Sequence, residues 1–298
     1  MNPSAFSLQG TNTYIVGTGP RRILVDTGDA DFTAEYIPNL RRAMAVAGAR
    51  GLEQVVVTHW HRDHIGGVQA VLDEFGRDIV VRKLQAAEAE EIWSGEGGVS
   101  PEEALRGCRV VPLADGEVLR TEGATLRVLH TPGHANDHVA LMLVEEQAMF
   151  TGDNVLGTGT PVFRDLPLYL RSLRRMRAER PAVLYTSHGP MVSDGEALID
   201  QYIEHRSSRV RQVREKLVSA AGGWCTAEEV TRRIYTAHPE YLIGPATGNT
   251  LQALRVLHDE GAVDCDHPKL ALKANPYTGA KAPPHDLIKA KWRITSKL

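Results

Sequence analysis

Thr58-His59-Trp60-His61-Arg62-Asp63-His64 follows directly on the short apolar run Gln54-Val55-Val56-Val57 and leads into Ile65-Gly66-Gly67. A run of that length and β-branched composition reads as a buried strand. The segment from His59 to His64 therefore stands at a strand end, where a rigid sheet holds the loops that build sites. Imidazole and carboxylate are side chains that a borderline cation such as zinc accepts. Four of them within six positions form a metal-ligand pattern. His59 and His61, two apart on extended chain, face the same way. Asp63 and His64 begin the turn into a helix and offer a second cluster.

The same context recurs along the chain. His134 follows a strand over 125–129 through Thr131-Pro132-Gly133, Asp153 follows a strand over 148–151 through Gly152, and His188 follows a strand over 183–186 through Ser187. These residues predict a binuclear site. His59, His61 and His134 form one open group, Asp63, His64 and His188 form the other, and Asp153 bridges both with its two oxygens. Two metals that share a hydroxide lower its pKa toward neutrality and make it a nucleophile. Asp63 and His138 are the residues expected to take part in the reaction, His138 as a lining of the substrate cleft. Asp26, at a strand end, is expected to hold a ligating histidine in place. Asn12 and Thr13 are expected to border the cleft.

Further strands are expected over 13–16, 22–26, 79–81, 110–111 and 139–142, and helices over 32–47, 65–75, 84–93, 166–180 and 195–202. Strands and helices mixed in this way imply sheets covered by helices. From Glu204 the pattern changes to helices over 204–221, 227–237 and 250–260. Thr226 and Glu229 stand at capping-box spacing ahead of the second. Two strands, 263–264 and 292–295, could pair around a Lys/Pro-rich loop, which gives a winged-helix order. We expect two units, 1–205 and 206–298.

Charge supports that division. The net charge of −3 alone points to no nucleic acid, but residues 1–205 carry 19 Lys+Arg against 28 Asp+Glu, and residues 206–298 carry 15 against 9. A basic second unit suits an acidic partner, although a helical unit with a Lys/Arg-rich solvated face gives the same count. The three cysteines form no CxxC pair, which argues against a disulfide framework. No run of eighteen apolar residues occurs, so no membrane span is expected, and the opening residues resemble neither a secretory signal nor a transit peptide. The expected protein is soluble and intracellular, not secreted.

The ligand set His59, His61, Asp63, His64, His134, Asp153 and His188 resembles that of the metallo-β-lactamase superfamily. The resemblance implies an α/β fold, an αββα sandwich with the site along one edge, followed here by the winged-helix-like tail. Leu8-Gln9-Gly10-Thr11-Asn12-Thr13-Tyr14, Thr58 to His64 and Thr131-Pro132-Gly133-His134 resemble more narrowly the beta-lactamase-like protein 2 family. That family is known as zinc-dependent endoribonucleases acting on single-stranded RNA in mitochondria. Ser187 stands where the family usually has Gly, and the chain beyond Asp266 departs from it. Only 34 residues separate Asp153 from His188, too few for the β-CASP insert. His61 stands where di-iron flavoproteins have Glu, and Asp153 where class B1 β-lactamases have Cys.

The resemblance implies two Zn2+ ions and an endoribonuclease that cleaves single-stranded RNA by a metal-bound hydroxide. Its compartment would be the mitochondrial matrix, with the cytoplasm as the alternative. Arg206, Arg209, Arg211, Arg214, Arg232 and Arg233 would attract the phosphate backbone. The alternative is an acyl-thioester hydrolase, similar to glyoxalase II or the polyketide thioesterases, with a small acyl thioester as partner. A third reading is a non-catalytic nucleic-acid-binding protein, against which the intact ligand set argues.

Overall fold

The computed structural model describes residues 10–85, 100–219, 223–236, 239–267 and 289–295. The first sheet contains β1 (Tyr14–Val16), β2 (Arg21–Val25), β3 (Gly51–Val57), β4 (Val80–Lys83) and β5 (Val110–Pro112), in that spatial order. β1 and β2 form an antiparallel hairpin, and β2 to β5 run parallel. The second sheet is ordered β10 (Val183–Tyr185), β9 (Ala148–Phe150), β8 (Val139–Leu143), β7 (Ala124–His130) and β6 (Val118–Thr121). Its strands are antiparallel except for the parallel pair β9 and β10.

Strand alternation sorts the apolar residues into layers. Ile23 and Val25 of β2 and Val56 of β3 face Leu126, Val128, Leu141 and Phe150 across the sandwich. Leu24, Val55 and Val57 point the other way, onto Leu40 and Met44 of α1 (Thr33–Val46) and Val71 and Leu72 of α3 (Val68–Phe75). The short helices α2 (Arg62–Ile65) and α4 (Pro101–Ala104) complete that layer. The outer face of the second sheet, with Leu129, Ala140 and Met149, packs on Tyr169, Leu170 and Leu173 of α5 (Leu166–Ala178). The αββα sandwich read from the sequence is therefore the fold.

Beyond α5 lie α6 (Gly195–Val218), β11 (Cys225–Thr226), α7 (Ala227–Ile234), α8 (Ile243–Asp259), β12 (Val263–Cys265) and β13 (Lys291–Ile294). Thr226 caps α7 in the expected capping box with Glu229. The apolar cluster on the second sheet continues without a break through Val210, Val213, Leu254 and Trp292. The boundary expected at residue 205 falls inside α6, a single helix of 24 residues where two had been expected. No Gly or Pro separates 195–202 from 204–221, so the change in charge marks no change in backbone.

The expected pair of strands forms, with Val263 opposite Ile294, and β11 adds a third through Cys225 opposite Trp292. The expected helix over 84–93 falls from residue 86 onward outside the described residues, as do Leu8 and Gln9 and the loop at 268–288. Among the described residues no helix is long and apolar enough to cross a membrane.

Candidate metal centre

Four loops, each leaving the end of a strand, converge on one edge of the sandwich. β3 delivers His59 to His64, β7 delivers His134, β9 delivers Asp153 and β10 delivers His188. Their ligand atoms fall into two groups, His59, His61, His134 and Asp153 in one and Asp63, His64 and His188 in the other, each within 4.8 Å throughout. In the first group His61 Nδ1 lies 2.9 Å from both His59 Nε2 and His134 Nε2. In the second, Asp63 Oδ2 lies 3.5 Å from His64 Nε2 and 3.4 Å from His188 Nε2. Asp153 stands between them. Its Oδ2 is 3.5 Å from His134 Nε2 and 3.9 Å from His59 Nε2, and its Oδ1 is 3.3 Å from His64 Nε2 and 3.2 Å from His188 Nε2.

The donor set fits a borderline cation. His64 Nε2 and Asp153 Oδ1 are buried without a hydrogen-bond partner, an arrangement costly unless something else coordinates them. Burial and neighbouring imidazoles push His59 and His61 well below the usual histidine range, and burial lowers His134. Burial also disfavours charge on His64 and His188, but Asp63, Asp153 and Asp26 raise His64 and Asp153 raises His188. Burial would raise Asp153, yet His64 and His188 hold it well below the carboxylate range. An ionised Asp153 and neutral His59, His61 and His134 are in their ligating forms.

The remote ring nitrogens are anchored, which fixes each ring's orientation. His59 Nδ1 is 3.0 Å from Thr58 Oγ1, His134 Nδ1 is 2.7 Å from the Val162 carbonyl and His188 Nδ1 is 2.9 Å from the Gly10 carbonyl. Asp26, expected to hold a histidine of the cluster in place, contacts His64. Its Oδ2 is 2.8 Å from His64 Nδ1 and accepts the Thr58 hydroxyl at 2.9 Å, while its Oδ1 accepts the Thr58 N–H at 2.8 Å. It holds this position at φ 59°.

One expected role changes, that of His138. His138 does not line the cleft. It is fully buried, its Nε2 accepts the Asp153 N–H at 3.0 Å, and its Nδ1 lies 2.9 Å from Thr131 Oγ1. A ring so enclosed can hold Asp153 but cannot touch a substrate. Asn12 ties the first strand to the His188 loop, donating to the carbonyls of Thr186 and Gly189 at 2.9 and 2.7 Å. Thr13 accepts the Tyr36 hydroxyl at 3.0 Å. The residue of that stretch that reaches the cluster is Thr11, whose hydroxyl donates to Asp63 Oδ2 at 2.7 Å. Thr11 and Thr13 both carry hydroxyls in this stretch, and nothing in their order singled out Thr11. Ser187, buried and outside the left-handed region, needs no glycine.

Two glycines are required by close approach. At Gly133, with φ 131°, a Cβ would lie 2.4 Å from the Tyr169 backbone. At Gly152, with φ 49°, it would lie 2.4 Å from His138 Nε2. Each sits one residue before a ligand and lets the loop turn under it. The Arg164 guanidinium lies 5.0 Å from the centre of the Trp60 ring.

The sandwich and the clustered ligands define a class, and the comparison with known families agrees. Residues 7–188 match the metallo-beta-lactamase superfamily, and the chain belongs to it. A Caenorhabditis elegans protein named beta-lactamase-like protein 2 homolog is 37% identical over 268 residues, covering 89% of this chain and 84% of its own. An Aspergillus chevalieri protein named atrochrysone carboxyl ACP thioesterase is 38% identical over 244 residues, covering 80% and 72%. Among solved structures, a beta-lactamase domain protein from Burkholderia ambifaria superposes over 98% of this chain and 89% of its own. Its TM-score is 0.68 at 20% identity, a likeness of fold.

Proposed function

We propose that the chain is a hydrolase working with two zinc ions, and that it cleaves phosphodiester bonds of single-stranded RNA. The observation that carries the hydrolytic reading is Asp153, whose two oxygens are divided between two groups of histidines. His59, His61 and His134 would hold one ion and Asp63, His64 and His188 the other, with Asp153 shared. Zinc held there supplies Lewis acidity and lowers the pKa of water toward neutrality. The chain's own residues orient the site. Thr11 fixes Asp63, Asp26 fixes His64, and His138 fixes Asp153.

The RNA reading is supported by likeness along most of the chain to relatives named beta-lactamase-like protein 2 homolog. Positive charge from Arg164, which lies over Trp60 between His59 and His61 of the cluster, favours an anionic substrate. The C-terminal arginines support it less than their number suggests. Arg211 pairs with Glu204, Arg232 with Glu228 and Glu240, and Arg206 donates to the Pro161 carbonyl over the Phe163 ring.

A second reading, acyl-thioester hydrolysis, is favoured by the relatives named atrochrysone carboxyl ACP thioesterase. One experiment separates the two. Zinc-loaded wild type and Asp63→Ala are each incubated with labelled single-stranded RNA and with a panel of acyl thioesters. RNA cleavage by the wild type alone supports the first reading, and thioester turnover alone transfers the assignment to the second. RNA cleavage that persists unchanged in Asp63→Ala overturns the first.

A further inference from the structure

The segment between Asp153 and α5 is held largely from the C-terminal side of the chain. From α6, the Tyr202 hydroxyl donates to the Gly159 carbonyl at 3.0 Å, and Arg206 donates to the Pro161 carbonyl at 3.1 Å. From α8, Gln252 Nε2 donates to the Arg164 carbonyl at 2.7 Å, and its Oε1 accepts the Leu166 N–H at 3.1 Å. Arg255 pairs with Asp165 at 2.8 Å, with both side chains largely buried. Arg255 also donates to Gln252 Oε1 at 3.2 Å, so the two residues form one unit.

That segment in turn grips the ligand loop of β7. The N–H groups of Arg164 and Asp165 both donate to the Gly133 carbonyl, at 2.7 and 3.1 Å. The Val162 carbonyl lies 2.7 Å from His134 Nδ1. Gly133 packs so closely on Tyr169 that a Cβ there would lie 2.4 Å from the Tyr169 backbone. Hydrogen bonds and the short stretches of backbone between them therefore connect α8 to the His134 imidazole. We propose that Gln252 and Arg255 are positioning residues for His134, acting through residues 162–166. The C-terminal elements then belong to the catalytic unit, whatever else they bind. Groups that orient a ligating histidine typically alter metal affinity 10–100-fold when removed.

The test uses the full chain and two readouts, of which only one rests on the metal reading. Gln252→Leu and Arg255→Met remove the contacts at similar volume, Arg255→Lys restores a cation for Asp165, and Thr231→Val is a control. Thr231 bonds the Thr250 hydroxyl at 2.8 Å within the same C-terminal core. In metal-free protein, amide exchange at Gly133 to Asn136 and at Phe163 to Leu166 should rise about tenfold in Gln252→Leu and Arg255→Met. It should stay near wild type in Arg255→Lys and Thr231→Val. With Co2+ as the probe, the first two variants should bind one ion at least tenfold more weakly. The inference is overturned if faster exchange stays confined to α8 and Co2+ affinity is that of the wild type. A wild type that binds no Co2+ defeats the metal reading and leaves the exchange result to decide this one.

Discussion

His138 Nε2 accepts the backbone N–H of Asp153 at 3.0 Å, and at Gly152, the residue before Asp153, a Cβ would come within 2.4 Å of that nitrogen. Burial keeps the imidazole neutral, so it is in its acceptor form at working pH. His138→Ala strips the acceptor from a buried N–H and opens a cavity beneath the bridging carboxylate. The expected cost is about 2 kcal/mol of stability, read from denaturant unfolding. Metal affinity should fall while the pH–rate profile keeps its shape. A profile that lost one limb would make His138 an acid or base after all.

Asp26 satisfies three groups at once, the Thr58 N–H, the Thr58 hydroxyl and His64 Nδ1. Asp26→Ala takes away the shared partner of all three in a buried place, leaving the Thr58 hydroxyl its contact with His59 Nδ1 at 3.0 Å, and it puts alanine in a left-handed conformation that an aspartate tolerates better. Zinc affinity should drop about 10–100-fold, and Asp26→Asn, which keeps an acceptor and the backbone preference, should lose less. Competition against a chromogenic chelator measures both. Equal affinity in the two variants would show that the carboxylate's contacts carry no weight.

The clustered histidines and aspartates were legible because their chemistry is local. His59 to His64 lie within six residues, and each of the other three follows a strand and a turn. The rest was hidden because it is made by contacts distant in sequence. Thr11 meets Asp63 across 52 residues, and Gln252 meets Arg164 across 88. β6 escaped because only Leu119 of its four residues is buried, and β11 is two residues long. His138 misled because its spacing from His134 suggests a shared face. β8 begins at Val139, and the loop before it turns the ring inward to Asp153.

Arg127 and Glu179 join β7 to the end of α5 through two hydrogen bonds, one of them 2.8 Å long. The Arg127 hydrogen bond holds the Glu179 carboxyl below the usual glutamate range. A depressed folded pKa contributes stability that is present above the unfolded value, about 4.3, and is lost as pH falls through the folded value. Glu179→Gln should therefore destabilise the protein at pH 7 by about 0.5 kcal/mol, a small figure because solvent screens the pair. Below pH 4 the difference from wild type should shrink toward zero. Thermal unfolding at several pH values tests this, and a deficit that grows on acidification would contradict it.

The two ligand groups share only Asp153, so single substitutions should remove ions selectively. Asp63→Ala takes one donor from the second group and leaves His59, His61, His134 and Asp153 intact. Such a variant should retain one zinc per chain where the wild type retains two, measured by elemental analysis after exhaustive dialysis. Asp153→Ala withdraws an oxygen from each group and should weaken both. Added zinc should raise the unfolding temperature of the wild type with a concentration dependence that follows ligand linkage, more steeply than that of Asp63→Ala. Two ions retained by Asp63→Ala would mean that Asp63 is no ligand. The Thr11 hydroxyl would then hold it only as part of the loop.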